Sequence, residues 1–315
     1  MAVVSDGQGG PEVAVIAGPT AAGKTAAALD LVERLGGPEY AEILNADSMQ
    51  VYAGMDIGTG KITPDQMRGI THHLFDLWPV THDATVAEYQ AVARDCIADV
   101  RSRGKLPILV GGSGLYITAV IDDLRFPGTD PAVRARLESE LAERGAAALH
   151  ERLADTDPQA ASRILPSNGR RLVRALEVIE LTGEPFSAQL PQLAGDRPVY
   201  RSAQVALDWP APLLAERIAA RVQQMWRDGL VDEVAQLREQ GIEQGRTASR
   251  ALGYAQVLAF LRGEISEDDA REQTTAATRR FARRQRSWLR RDPRISWFDV
   301  ASGVPVDELA HTITA

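Results

Sequence analysis

The sequence predicts an α/β protein in which a parallel sheet core is interrupted by an all-helical insertion domain. Short apolar runs bounded by glycine or proline alternate with longer Ala- and Leu-rich segments, as in a parallel sheet whose strands are joined by helices. One such run leads directly into a glycine-rich turn and a helix. From residue 127 to residue 196 the strand-like runs cease and only helical periodicity remains.

The stretch from Val13 to Thr25 predicts a strand and a phosphate-binding loop, and a helix follows. Val13 to Ala17 is apolar, and the next residues satisfy G-x-x-x-x-G-K-[ST]. The predicted diphosphate loop comprises Gly18, Pro19, Thr20, Ala21, Ala22, Gly23, Lys24 and Thr25. Glycines let backbone N–H groups turn toward phosphate oxygens, Lys24 adds a charge, and the Thr25 hydroxyl can hold Mg²⁺. The core is therefore P-loop NTPase-like.

The second predicted strand, residues 41 to 46, ends at Asp47. Ligands of open parallel sheets bind at the carboxyl ends of the strands, so we expect Asp47 to lie near the phosphate loop. The alternative is a structural carboxylate that caps the following turn. Residues 54 to 71 then form a long ordered loop, and the adjacent His72 and His73 are interpreted as structural.

A second glycine-rich turn follows the predicted strand 108–110, at residues 111 to 116. A P-loop protein that hydrolyses ATP would end such a strand in an acid that binds Mg²⁺, whereas Gly111 and Gly112 stand there. The loop is therefore predicted to serve a reaction other than ATP hydrolysis.

Three segments organise the chain: a first part of the core at 1–126, a helical insertion at 127–196, and the completion of the core at 197–315. The helices predicted in the insertion are 131–142, 145–154, 158–165 and 170–181. The remaining predicted elements are strands at 203–207 and 295–300 and helices at 26–35, 87–103, 211–228, 231–240 and 268–291.

Composition excludes several classes of protein. The 315 residues are 44% hydrophobic and 25% charged, which is ordinary for a globular chain. The one cysteine, Cys96, excludes an internal disulfide and a cysteine-rich zinc site, and we expect it to be a buried structural thiol. No apolar run approaches the roughly 18 residues of a membrane span, and the N-terminus does not resemble a signal peptide. We expect a cytoplasmic monomer without a membrane partner.

Charge is distributed unevenly along the chain. The net charge is −8, yet one segment near the C-terminus is strongly basic. Its arginines are Arg279, Arg280, Arg283, Arg284, Arg286, Arg290, Arg291 and Arg294, with Asp292 as the only acid between them. Helical spacing places several of them on one face, which favours a polyanionic partner over a solvated helix face.

Together these segments resemble the tRNA dimethylallyltransferase family, from Gly18 to Trp297. The matching stretches are Gly-Pro-Thr-Ala-Ala-Gly-Lys-Thr at 18–25, Asn-Ala-Asp-Ser-Met-Gln-Val-Tyr at 45–52, Asp-Ile-Gly-Thr-Gly-Lys at 56–61, His-His-Leu at 72–74, Gly-Gly-Ser-Gly-Leu-Tyr at 111–116, Arg-Arg-Leu-Val-Arg-Ala-Leu-Glu-Val at 170–178 and Arg-Arg-Gln-Arg-Ser-Trp-Leu-Arg at 283–290. The resemblance implies transfer of a dimethylallyl group from dimethylallyl diphosphate to N6 of adenosine 37, next to the anticodon of tRNA.

The chemistry of the residues agrees with this implication. Diphosphate is the leaving group, so Lys24, Thr25 and Mg²⁺ would neutralise its charge. The N6 lone pair is delocalised into the purine and needs a base, for which Asp47 is the candidate. By resemblance, Asp47 has this role and Arg221 reaches the diphosphate. Thr20 and Ser113 resemble residues that line the site, although simple loop packing is an equal alternative.

The resemblance also implies that the insertion closes over the anticodon loop. The residues expected to bind tRNA are Asp47, Ser48, Met49, Gln50, Ser113, Arg134, Arg170, Arg171, Arg174, Arg283, Arg284 and Arg286. For Arg171 and Arg174 the alternative is a surface pair satisfied by Glu177 or by solvent. Two departures, Gly60 and Gly169, are expected to change only the local loop shapes.

Three other functions remain as alternatives. A small-molecule kinase would share the core but needs no long basic helix. An isopentenyltransferase for free adenine nucleotides needs neither the insertion nor the arginine-rich segment. A non-enzymatic RNA-binding module leaves Lys24, Thr25 and Asp47 without a role.

Overall fold

The computed structural model describes residues 10–189 and 198–315. The strands in these ranges are β1 (Val13–Ala17), β2 (Ala41–Asn45), β3 (His72–His73), β4 (Leu106–Gly111), β5 (Ser202–Asp208) and β6 (Ile295–Asp299). They form one sheet in the order β3-β2-β4-β1-β5-β6, and every neighbouring pair is parallel. The predicted α/β class is therefore confirmed.

Helices cover both faces of the sheet. The helices of the described ranges are α1 (Lys24–Leu35), α2 (Val86–Ser102), α3 (Gly114–Ile121), α4 (Pro131–Thr156), α5 (Pro158–Arg163), α6 (Gly169–Thr182), α7 (Ala211–Arg227), α8 (Leu230–Glu239), α9 (Tyr254–Leu261), α10 (Glu267–Leu289) and α11 (Val306–Thr314). Along β1, Val13, Val15 and Ala17 pack into one hydrophobic cluster while Ala14 and Ile16 pack into the other. Burial on both faces is why this strand is apolar at every position.

One strand and two helices were not predicted. Strand β3 has two residues, His72 and His73, and is too short to give an alternating pattern. In the predicted insertion, α4 spans both of the first two expected helices, and its helical geometry breaks at Gly145 (φ 78°), so the predicted division is confirmed. The helices α9 and α11 were also missed.

The chain divides into two compact units, with the first division after Asp123. The insertion unit contains α4, α5 and α6 and no strand among its described residues, 124–189. It has its own core, which includes Leu137, Leu149, Leu153 and Leu172. The second predicted boundary, at 196 and 197, lies outside the described residues.

In the core unit, the chain leaves and returns at one place. Asp122 and Pro198 form an antiparallel bridge, and the Val199 N–H donates to the Ile121 carbonyl at 2.8 Å. Arg294 donates to both oxygens of Asp122 at 2.6 and 2.8 Å, and also to Asp292. These bonds hold together the points at which the chain leaves and re-enters the core unit.

Two further expectations concern the environment of Cys96 and membrane-spanning helices. Cys96 is half-buried on α2, and burial raises the pKa of its thiol to about 11, which keeps it protonated and inert. In the part of the chain that the structure describes, no helix is both long and apolar enough to cross a membrane.

Candidate active site

The phosphate loop lies between β1 and α1, and its backbone requires glycine at two positions. Gly18 has φ 146°, and a Cβ there would lie 2.7 Å from the Leu207 carbonyl oxygen of β5. Gly23 has φ 90°. Helix α1 begins at Lys24, so its positive N-terminal end is at the loop. This is the geometry of an anion site.

Lys24 is the central cation of the loop. Its Nζ donates to the Pro19 carbonyl at 2.9 Å. Burial lowers the pKa of Lys24 to about 8; nearby Asp47 opposes this shift and Arg221 adds to it. A bound polyphosphate would favour the protonated form and restore the charge.

Two cavities meet beside this loop. The first, of about 810 Å³, is lined by the loop from Thr20 to Thr25 and, on α7, by Arg217 and Arg221. The second, of about 300 Å³, has a mostly apolar lining. Its apolar residues include Met49, Ile218, Val222, Met225, Tyr254 and Phe281. The residues common to both cavities are Thr20, Asp47, Thr59 and Arg221.

Asp47 lies two residues after the end of β2 and lines both cavities, as its position in the sequence predicts. Its Oδ1 accepts from the Met49 N–H at 2.9 Å, so it also caps the following turn. Its own N–H donates to Asn45 Oδ1 at 2.9 Å, and the Asn45 carbonyl accepts from buried Tyr89 at 2.6 Å. Within the described residues Oδ2 accepts no hydrogen bond. One carboxylate oxygen thus fixes the turn and the other remains available to a ligand.

Arg221 faces the cavities from α7. Its Nη2 donates to the Thr59 carbonyl at 2.7 Å. Burial lowers its pKa, and Asp47 opposes the shift. Gly60, with φ 62°, packs so closely on the guanidinium that a Cβ would collide with Nη2. The expectation that Gly60 affects only loop shape is therefore wrong, because this position sets the space for Arg221.

Glu233 and Tyr254 were missed by the sequence analysis. The Glu233 carboxylate accepts from the backbone N–H groups of Asp56, Ile57 and Gly58 at 3.2, 2.6 and 3.2 Å. Tyr254 donates to the same carboxylate at 2.6 Å. Together they hold the loop whose Thr59 carbonyl binds Arg221. More than 170 residues separate Glu233 from this loop, so no local pattern could reveal the contact.

Residues 48 to 50 and Ser113 support the same region. Ser113 Oγ accepts from the Ser48 N–H at 3.2 Å. Gln50 Nε2 donates to the Thr59 and Gly60 carbonyls at 3.2 and 3.3 Å. Met49 lines the apolar cavity. These contacts favour the packing alternative for Ser113 without excluding contact with a ligand.

The histidine pair divides between two environments. His73 Nε2 lies 2.6 Å from a carboxylate oxygen of buried Glu42, consistent with a structural role. His72 lines the larger cavity, and its Nδ1 donates to the Ile70 carbonyl at 2.8 Å. Its Nε2 is buried without a hydrogen-bond partner among the described residues, and burial lowers its pKa.

The arginines predicted to bind tRNA fall into two groups. Arg283 and Arg284 of α10 are exposed, and Arg284 also lines the apolar cavity. Arg170 and Arg171 of the insertion unit are exposed as well. Arg286, by contrast, donates to Asp208 at 2.9 Å, as does Arg290 at 2.8 Å. The arginine-rich segment is thus partly neutralised by an acid distant in sequence.

Arg134 and Arg174 also have partners within their own unit. Both donate to the fully buried Glu177, at 2.5 and 2.8 Å. Arg174 also donates to the carbonyls of Pro127 and Gly128 at 2.6 and 3.1 Å. For Arg174 the alternative involving Glu177 is what the structure shows, and tRNA contact by either arginine stays a prediction.

A magnesium site was predicted at Thr25. This residue is exposed in the larger cavity, and its hydroxyl is an oxygen donor of the kind that Mg²⁺ prefers. Among the described residues no group of three His, Cys, Asp or Glu side chains could hold a metal. The residues therefore fit an ion held mainly by phosphate oxygens and water, with one protein ligand.

Fold and site define an α/β protein with a P-loop-like core. A family model described as IPP transferase matches residues 50–292, and the chain belongs to this family. It is 58% identical over 298 residues to a tRNA dimethylallyltransferase of Salinispora tropica, covering 95% of this chain and 91% of that one. It is 58% identical over 305 residues to a tRNA dimethylallyltransferase of Streptomyces coelicolor, covering 96% of each.

Solved structures show similarity to the same kind of enzyme. The tRNA isopentenylpyrophosphate transferase of Bacillus halodurans is 37% identical, with a TM-score of 0.67 over 95% of this chain and 93% of that one. A eukaryotic dimethylallyltransferase acting on tRNA is 25% identical, with a TM-score of 0.76 over 91% of this chain and 73% of that one. The resemblance drawn from the sequence is confirmed.

Proposed function

We propose that this protein transfers the dimethylallyl group of dimethylallyl diphosphate to N6 of adenosine 37 in tRNA and releases diphosphate. The observation that carries the proposal is the meeting of two unlike cavities at Asp47 and Arg221. The larger cavity, lined by the phosphate loop with Lys24 and Arg221, suits the diphosphate, and the smaller, mostly apolar cavity suits a prenyl group and a purine.

The diphosphate end is built to accept negative charge. Protonated Lys24, Arg221 and the N-terminus of α1 surround the place where charge develops as the bond between C1 and oxygen breaks. Both side chains are half-buried beside the cavity, so their electrostatic effect is stronger than at the open surface. Thr25 would hold Mg²⁺ together with diphosphate oxygens, and the bound ion supplies further neutralisation.

The acceptor end has one carboxylate. Asp47 takes the N6 proton as nitrogen bonds to C1, and its turn keeps the carboxylate fixed while it does so. A paired or stacked adenine cannot reach this position, so the base enters flipped out of the anticodon loop. The apolar lining, including Met225 and Phe281, excludes water that would otherwise capture the allyl group.

We expect exposed arginines to make the contacts with tRNA. Arg283 and Arg284 in the core unit and Arg170 and Arg171 in the insertion are free to bind phosphates or bases. A tRNA substrate and a lone reduced cysteine support a cytoplasmic location.

The test is incorporation of labelled dimethylallyl diphosphate into unmodified tRNA, with AMP as a competing acceptor. Label is expected in tRNA only, and chelation of Mg²⁺ is expected to reduce it. Label in AMP would indicate a transferase for free nucleotides. Consumption of ATP with unlabelled tRNA would indicate a kinase, and either result would refute the proposal.

A further inference from the structure

Three glycines of the second glycine-rich turn, residues 111–114, lie in close contact with neighbouring segments. The position of a Cβ on Gly111 is occupied by Ala46, the residue before Asp47. Gly112 packs against Gln285, and Gly114 packs against the ring of Trp288. Each of these glycines therefore lets a neighbouring segment approach the turn closely.

Gln285 of α10 connects this turn to the phosphate loop. Its Oε1 accepts from the Thr20 N–H at 2.9 Å, and its Nε2 donates to the Gly112 carbonyl at 3.0 Å. The residue is only 5% exposed. Both ends of one buried amide are thus used to join two backbone segments that come from different strands.

The same turn is joined to the Asp47 segment from its other side. Ser113 Oγ accepts from the Ser48 N–H at 3.2 Å, one residue after Asp47. Thr20, which Gln285 holds, lines both cavities with Asp47. The position of the diphosphate loop relative to the Asp47 carboxylate is therefore set through this turn. Gln285 makes the hydrogen bonds that join the turn to the diphosphate loop.

We infer that Gln285 is a positioning residue, which places Thr20 and the diphosphate loop relative to Asp47. It acts through the Thr20 backbone and does not line either cavity. Without it, the Thr20 N–H and the Gly112 carbonyl lose their partner, and the loop can move away from the position in which diphosphate and acceptor meet. The inference rests on the proposed prenyl transfer.

The first experiment is the steady-state kinetics of Gln285→Met, which keeps the length of the side chain but forms neither hydrogen bond. We expect KM for dimethylallyl diphosphate to rise and kcat to fall, each by about tenfold, the factor that ordinary hydrogen bonds supply. KM for tRNA should stay within twofold. The matched control, Gln273→Met on the exposed face of the same helix, should behave as wild type.

Each outcome has one meaning. Wild-type protein that does not prenylate tRNA refutes the proposed function. Active wild type with unchanged diphosphate kinetics in Gln285→Met refutes the positioning role. An equal rise in the KM of both substrates would show that the glutamine merely supports the fold of α10, and would also refute it.

Amide hydrogen exchange tests the contact even if Gln285→Met is poorly folded. In wild-type protein without ligands, the Thr20 amide should exchange slowly, because its acceptor is buried. In Gln285→Met, exchange should accelerate within residues 18–25 and not in strand β1. Fast exchange of the wild-type Thr20 amide would overturn the inference.

Discussion

Charged side chains are treated differently in the two units of this protein. In the core unit, Lys24, Asp47 and Arg221 line a cavity, and none of them has an ion-pair partner within 4.0 Å among the described residues. In the insertion unit, Arg134 and Arg174 converge on the buried carboxylate of Glu177. The three charged side chains of the core unit are available to a ligand, whereas the two arginines of the insertion unit already have a counter-ion within the protein.

The difference shows how to separate functional from structural charges. Arginine is abundant in both units, so residue type alone does not distinguish them. A buried charge without a counter-ion is costly unless a ligand supplies one, whereas a buried pair makes its own compensation. Counter-ions therefore identify the site better than the number of arginines does.

Replacing Asp47 should have the largest effect. Asp47→Ala removes the base, and we expect kcat to fall by about 10²- to 10⁴-fold, the contribution of a positioned general base. Single-turnover transfer to tRNA measures it. Asp65→Ala removes the same charge from the outer wall of the same cavity and should retain activity. Equal losses in both variants would show that net charge, not proton transfer, matters.

Breaking the pair in the insertion should lower stability rather than chemistry. In Glu177→Gln, Arg134 and Arg174 lose their buried counter-ion, and the free energy of unfolding of the insertion should fall by about 3 kcal/mol. All five tryptophans lie in the core unit, so their fluorescence reports that unit alone.

Circular dichroism should therefore show helix loss at lower urea than the fluorescence transition. Glu180→Gln, whose partners Arg136 and Arg152 are more exposed, should cost less than about 1 kcal/mol. Coincident transitions in Glu177→Gln, unchanged from wild type, would contradict the structural role of this pair.

The pH dependence should reveal the unpaired lysine. Diphosphate binds the protonated form of Lys24, whose pKa is lowered to about 8, so kcat/KM for dimethylallyl diphosphate should fall as pH rises above 8. The expected decline is about tenfold per pH unit. Lys24→Met should have lower activity at all pH values and lack this alkaline decline. A decline that persists in the variant would assign it to another group.

The smallest effect should come from a matched pair of arginines on α6. Arg171→Ala removes an exposed cation and should weaken tRNA binding by about threefold, without loss of stability. The slope of the logarithm of affinity against the logarithm of salt concentration should become shallower by about one. Arg174→Ala, three residues on, should lower stability because Glu177 keeps only one partner. Titrations at several salt concentrations and thermal melts separate the two results.

The fold was predictable because its signals are local. Strand β1 is buried on both faces and is therefore apolar throughout, and the loop after it has the spacing that phosphate binding requires. Strand β3 gave no signal, since its two histidines pair with β2 through backbone bonds that any residue can make. The break in α4 at Gly145 was predictable as well, because a glycine with positive φ interrupts a helix locally.

The site was predictable only where the chain is contiguous. Asp47 was found because it follows a strand, and Lys24 because it belongs to a loop motif. Gln285 lies 265 residues from its partner Thr20, and Glu233 lies 177 residues from Asp56 of its loop. The sequence gives no indication of these contacts. A glutamine or glutamate that binds a distant segment cannot be distinguished in sequence from one that faces solvent.

The antiparallel bridge between Asp122 and Pro198 makes the architecture modular. Because the core chain departs and returns through adjacent, hydrogen-bonded residues, a short linker is long enough to join the two points. A shortened chain that closes this gap with a few flexible residues should retain the sheet and the diphosphate loop. Such a chain would offer a small scaffold onto which other acceptor-recognition modules could be grafted.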